Sequence, residues 1–213
     1  MEEAVKLEEL SKRFGQTVIL DRINLTVQKG EIIGIIGYNG CGKTILLKMI
    51  CGLMLPSTGT VTVFGKKVGV DRDFSERTGI LIETPEFLPR QSAFENLYSL
   101  ARISGKADKS EIAKMLEGVG LDPNSKKHVE KFSLGMRQRL GIAQTILDHP
   151  DLLLLDEPMN ALDKNGVAEM REFFLRLREE GKTIVLASHS AEDISILCNS
   201  VYEISNSLMT KIR

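Results

Sequence analysis

At 213 residues and a net formal charge of −1, the chain has the length of one compact domain and no electrostatic bias toward nucleic acid or an anionic membrane. Its 42% hydrophobic and 27% charged residues are those of a globular protein, which excludes a disordered or fibrous chain. No apolar run approaches the roughly 20 residues that cross a bilayer, so any membrane-spanning part of its machinery is expected from another polypeptide. The N-terminus MEEAVKLEEL lacks the apolar segment of a signal peptide. Three widely spaced cysteines, Cys41, Cys51 and Cys198, suit reduced thiols in a cytosol-like compartment.

Residues 5–10 and 23–27 alternate apolar and polar side chains and read as strands, with a turn at Lys29-Gly30. Glu31 to Gly37 (EIIGIIG) is a near-continuous apolar run, the pattern of a strand buried on both faces. A helix is expected over 43–52, then strands over 60–64 and 79–82. Ser92-Ala-Phe-Glu95 and Asp108-Lys-Ser-Glu111 are capping boxes that each open a helix. A third helix runs over about 133–147 and stops before Pro150, so residues 92–147 form a mostly helical block. Strand patterns return at 151–156 (DLLLLD) and 183–188 (TIVLAS), on either side of a helix over 164–180, and the last strand lies near 201–204. Strand–helix–strand alternation around a helical insertion predicts an α/β fold with a parallel sheet and a helical subdomain.

Residues Gly37-Tyr38-Asn39-Gly40-Cys41-Gly42-Lys43-Thr44 fit the pattern G-x-x-x-x-G-K-[ST], between a buried strand and an amphipathic helix. The glycines let backbone amides close on an anion, and the helix N-terminus adds its own. Lys43 is a point charge for the β- and γ-phosphates of a nucleotide, and Thr44 offers a hydroxyl to Mg²⁺. Leu152-Leu-Leu-Leu155-Asp156-Glu157-Pro158 puts two acids at the carboxyl end of a buried strand, where parallel sheets hold their ligands. Asp156 is placed to hold Mg²⁺, and Glu157 to polarise a water for attack on the γ-phosphate. Cys41 reads as a small tolerated loop residue.

Taken with Phe132-Ser133-Leu134-Gly135-Met136-Arg137-Gln138-Arg139-Leu140, these motifs resemble the nucleotide-binding subunit of ATP-binding-cassette (ABC) transporters over essentially the whole chain. The segment looks like the family signature, usually LSGGQ; alone it would read as an ordinary Ser helix cap followed by two arginines. The resemblance implies a P-loop NTPase of the ABC type: a mostly parallel central sheet, an antiparallel β subdomain and the helical subdomain, in a single domain over 1–213. It implies ATP and Mg²⁺ as ligands and head-to-tail closure on a second cassette, whose nucleotide Ser133 and Gly135 would serve. Asn160-Ala-Leu-Asp163 resembles the loop crossing that interface, His189 the switch histidine at the γ-phosphate, and Phe14 the aromatic that stacks on adenine. His128 and His149 match nothing.

Three departures stand out. Leu134 and Met136 replace the usual Gly and Gln of the signature. Ile45 follows Thr44 where many members have a second hydroxyl, leaving its backbone amide for the α-phosphate. Glu83 stands where a Gln usually senses Mg²⁺ and signals to the transmembrane partner. This last exchange, with Leu81 to Pro85 and Phe94 to Leu97, resembles exporters of the bacitracin-resistance and lantibiotic-immunity group. The expectation is an ATPase motor at the inner face of the cell membrane, docked to separate permease subunits through residues 83–90 and the helical block. A soluble clamp on ribosomes or DNA would carry tandem cassettes or a long coiled-coil insertion, and neither is visible. A nucleotide switch without hydrolysis is opposed by Glu157 and His189. The chain stops soon after the strand at 201–204, short of the C-terminal extension of many relatives.

Overall fold

The computed structural model describes residues 2–75, 77–83 and 85–213. In chain order the elements are β1 (Glu3–Phe14), β2 (Thr17–Gln28), β3 (Ile32–Ile36), α1 (Lys43–Cys51), β4 (Thr58–Val63), β5 (Lys66–Lys67), β6 (Thr78–Leu81), α2 (Ala93–Ser104), α3 (Lys109–Gly118), α4 (Leu134–Ile146), β7 (Leu152–Asp156), α5 (Lys164–Glu179), β8 (Thr183–Ala187), α6 (Ala191–Leu197), β9 (Ser200–Ser205) and β10 (Leu208–Lys211). Four strands form an antiparallel sheet in the order β2-β1-β4-β5, and six form a second sheet in the order β10-β9-β3-β8-β7-β6. The second sheet is parallel except for the β10–β9 pair.

The apolar runs of the parallel strands follow from the two layers that cover them. Ile33, Ile35, Leu152, Leu154, Val185 and Ala187 pack with α1 and the antiparallel sheet. Their neighbours Ile32, Leu153, Leu155, Ile184 and Leu186 face the opposite way, into a core shared with α2 to α6. A strand alternates its side chains between faces, so burial of both faces requires apolar residues at every position. The order β3-β8-β7-β6 then sets four strand ends side by side, about 4.8 Å apart. From them issue the glycine-rich loop, His189, the Asp156–Glu157 pair and Glu83.

The helical block starts as its sequence dictates. Ser92 Oγ accepts from the Glu95 amide at 3.2 Å, and Glu95 Oε2 accepts from the Ser92 amide at 2.8 Å. Asp108 Oδ1 accepts from the Glu111 amide at 2.9 Å, and Glu111 Oε2 from the Asp108 amide at 2.8 Å. These amides hold the Glu95 and Asp108 carboxyls below their ordinary pKa. Helix α4 reaches the sheet because Gly79 of β6 has no side chain: a Cβ there would lie 2.1 Å from the Thr145 carbonyl oxygen.

Three elements escape the sequence reading. Helix α6 has only seven residues, β5 only two, and β10 is an edge strand without alternation. The strand near 201–204 is therefore not the last one. Strands β1 and β2 extend well beyond 5–10 and 23–27, paired along their length through several register shifts.

Candidate nucleotide site

The loop after β3 wraps back on itself. Gly37 has φ 148° and Gly42 φ 110°, values that L side chains rarely adopt. A Cβ on Gly37 would also lie 2.5 Å from the Ile204 carbonyl oxygen. Lys43, 7% exposed, donates through Nζ to the carbonyls of Gly37 (2.7 Å) and Tyr38 (3.2 Å), which holds its ammonium inside the loop. Thr44 Oγ1 donates to Asp156 Oδ2 at 2.5 Å, joining the loop to the end of β7.

A cleft of about 450 Å³ opens over these groups. Asn39, Gly40, Gly42, Lys43, Thr44 and Ile45 line it on one side, Asp156, Glu157 and Glu83 on another, and Leu134, Gln138, Asn160 and Ala161 close it. Tyr38, the next loop residue after Gly37, is 62% exposed. Cys41 is buried, packed behind the loop near Gly37, so it contributes backbone rather than a thiol.

Glu157 has a left-handed backbone (φ 49°) at the strand exit, uncommon for a residue with a side chain. Its amide donates to the Ala187 carbonyl of β8 at 2.9 Å, and its carboxylate Oε2 lies 2.9 Å from His189 Nδ1. The two candidate chemical groups, 32 residues apart, thus form one pair. His189 leads directly into α6, whose N-cap Ser190 accepts from the Asp193 amide at 3.2 Å. The Asp193 side chain is 4% exposed and accepts from Arg171 Nε at 2.8 Å; Arg171 Nη2 also lies 3.0 Å from Glu192 Oε2. An ion pair from α5 therefore anchors the helix that follows His189.

The remaining candidates sit as follows. Glu83 (φ 64°) pairs with Lys48 Nζ at 2.5 Å, so its carboxylate is at the cleft but neutralised by α1. Its neighbour Thr84 in the expected docking segment lies outside the described residues. The Ser133 side chain caps α4, accepting from the Met136 amide at 3.2 Å. Gly135 fits under the Ala161 carbonyl, which a Cβ would approach to 2.9 Å. Phe14 is 49% exposed, a free ring at the end of β1 rather than a core residue, with Lys12 Nζ 5.2 Å from its centroid. The arginines of the signature segment turn away from an anion: Arg137 donates to the Glu130 carbonyl, and Arg139 to the Val119 carbonyl and Glu169.

The Thr44–Asp156 pair presents two hard oxygens beside the phosphate loop, a donor set that suits Mg²⁺. Among the described residues no cluster of three or more His, Cys, Asp or Glu could cage a metal. Gln138 and Lys48 were missed by sequence reading; their roles depend on partners 20 and 35 residues away.

The family model described as ABC transporter matches residues 20–160, from within β2 to beyond β7. The chain belongs to the ABC transporter family. Relatives agree along nearly all of this cassette. It is 41% identical over 202 residues to the uncharacterized ABC transporter ATP-binding protein YybJ of Bacillus subtilis, covering 95% of the chain and 93% of the relative. It is 42% identical over 204 residues to the bacitracin transport ATP-binding protein BcrA of Enterococcus faecalis, covering 94% of the chain and 66% of that longer protein. A dimeric, post-hydrolysis ATP-binding cassette bound to ADP and phosphate superposes with a TM-score of 0.85 at 23% identity, over 98% of this chain and 99% of the other, and shows the shared fold. No helix among the described residues is long and apolar enough to cross a membrane.

Proposed function

We propose that residues 1–213 form one cassette that binds MgATP, closes head to tail on a second cassette, and hydrolyses ATP to drive an exporter. Its transmembrane subunits would be separate chains, and the cassette would work at the inner face of the cell membrane. The observation that carries this reading is the convergence of Lys43, Thr44, Asp156 and Glu157 on one cleft, with His189 held against Glu157 beside it.

The loop amides of 37–45 and Lys43 hold the phosphates, and Phe14 stacks on the base. Thr44 and Asp156 would hold Mg²⁺, with Glu83 as a further candidate ligand, and the ion would supply charge neutralisation to the phosphates. The Glu157 carboxylate orients a water and takes its proton as the water oxygen attacks the γ-phosphorus and the bond to the ADP oxygen breaks. The Nδ1 contact of His189 keeps that carboxylate aimed. Ser133 and Gly135 act on the partner's nucleotide. The bacitracin transport relative and the Glu at position 83 favour a peptide antibiotic as cargo. Residues 83–90, with Leu88 exposed, and the helical block form the docking side for the permease.

Glu157→Gln keeps the shape but cannot take a proton. It should form a stable dimer with ATP on size exclusion while steady-state hydrolysis falls at least ~100-fold. Hydrolysis at the wild-type rate would remove Glu157 from the base role. Lys43→Ala should lose most ATP affinity in nucleotide titration.

A further inference from the structure

Glu157 performs its role from a left-handed backbone at the exit of β7, a conformation that needs support from around it. Its amide is tied to β8 through the Ala187 carbonyl. The other side of the turn is tied to α4: Gln138 Nε2 donates to the Pro158 carbonyl at 3.0 Å and reaches the Glu157 carbonyl at 3.5 Å. Gln138 is half-buried and lines the cleft without a bond to any side chain of the chemical pair. A side-chain amide aimed at two successive main-chain carbonyls fixes the peptide between them. That peptide decides where the Glu157 carboxylate points.

We propose that Gln138 is a positioning residue for hydrolysis: its amide donors lock the Glu157–Pro158 peptide so that the Glu157 carboxylate stays aimed at the attacking water and at His189. This inference rests on the assignment of Glu157 as base. Gly135, one turn earlier on α4, presses against the Ala161 carbonyl of the same exit loop, so α4 grips that loop at two points. The chemistry of the contact is donation: a group of equal size without an N–H cannot replace it, and a carboxylate would repel both carbonyls.

Gln138→Met matches the volume and removes the donors. Gln138→Glu matches the shape and removes them only while ionised. Gln138→Met leaves the charge of the cleft unchanged and should bind ADP with an affinity close to wild type. At neutral pH kcat should drop about ten-fold, the scale of one lost orienting hydrogen bond. In Gln138→Glu, protonation restores an O–H that can donate to the Pro158 carbonyl. The ratio of its kcat to that of wild type should therefore rise as pH is lowered from about 7 to about 5, into the upper edge of the carboxyl range. A Gln138→Met enzyme within two-fold of wild type, or a flat ratio across pH for Gln138→Glu, overturns the proposal. If Gln138→Met does not fold, the Gln138→Glu profile alone decides. Glu157→Gln run in parallel separates the two claims. If that variant hydrolyses normally the base assignment fails; if it is inactive while Gln138→Met is normal, only the positioning role fails.

Discussion

Replacing Arg171 by Leu tests whether the helix after His189 is held by the ion pair from α5. The Asp193 side chain is 4% exposed and that of Arg171 14%, so the pair is largely out of water. Removing the guanidinium strands a buried carboxylate, which costs about 3–5 kcal/mol in comparable sites. The second arm, to Glu192 with a side chain 73% exposed, adds little. For a chain of this length each kcal/mol shifts Tm by about 2–4 °C, so Tm should fall by about 6–20 °C. Urea unfolding with linear extrapolation measures the loss, and calorimetry the shift in Tm. Changing Asp193 to Leu as well removes the stranded charge and should recover most of the loss. A single variant that loses less than about 1 kcal/mol, or a double variant no more stable than the single one, would refute the argument. ATPase activity should drop further than ATP affinity in Arg171→Leu, because the loop that loosens carries His189 and not the phosphate loop.

Phe14→Ala should weaken ATP binding by the worth of one base–aromatic stack, about 1–3 kcal/mol, while Phe14→Tyr keeps it; titration with a fluorescent nucleotide reads both. Lys48→Met frees the Glu83 carboxylate and should lower the Mg²⁺ concentration for half-maximal ATPase activity, measured by metal titration at saturating ATP. The Asp108 carboxyl is held below its ordinary pKa by the Glu111 amide and the Ser110 hydroxyl. Its stabilising contribution is complete above the unfolded-state pKa and is lost as pH falls through the lower folded value. Asp108→Asn keeps a cap without that titration, so its urea midpoint should decline less steeply than wild type on the acid side.

Much of the site is written locally. The spacing from Gly37 to Thr44 fixes the phosphate loop because the loop, its lysine and its hydroxyl lie within eight consecutive positions. Apolar residues at every position of 32–36 and 152–155 disclose strands covered on both faces, and two capping boxes mark the starts of α2 and α3. Local signals cannot report what depends on distant partners. Helix α6 spans less than two full turns, too short for a helical period to show. Strand β10 is held by main-chain pairing to β9, which leaves no side-chain pattern. The partners of Arg139, the Val119 carbonyl and Glu169, cannot be told from its place in the signature segment. Glu83 looked like a metal ligand alone; its pairing with Lys48 appears only when α1 and the end of β6 come together.

The three cysteines offer a practical handle on the proposed head-to-tail closure. Cys41, Cys51 and Cys198 are free thiols, each at most 8% exposed, and burial pushes Cys198 up to about 12. Thiolate, the form that reacts with maleimides, is scarce and shielded at Cys198, and the other two are shielded as well. A single cysteine introduced at an exposed position such as Lys114 on α3 would take a fluorophore or spin label with the native residues left in place. Labels on two copies could then follow the distance between cassettes through each turnover.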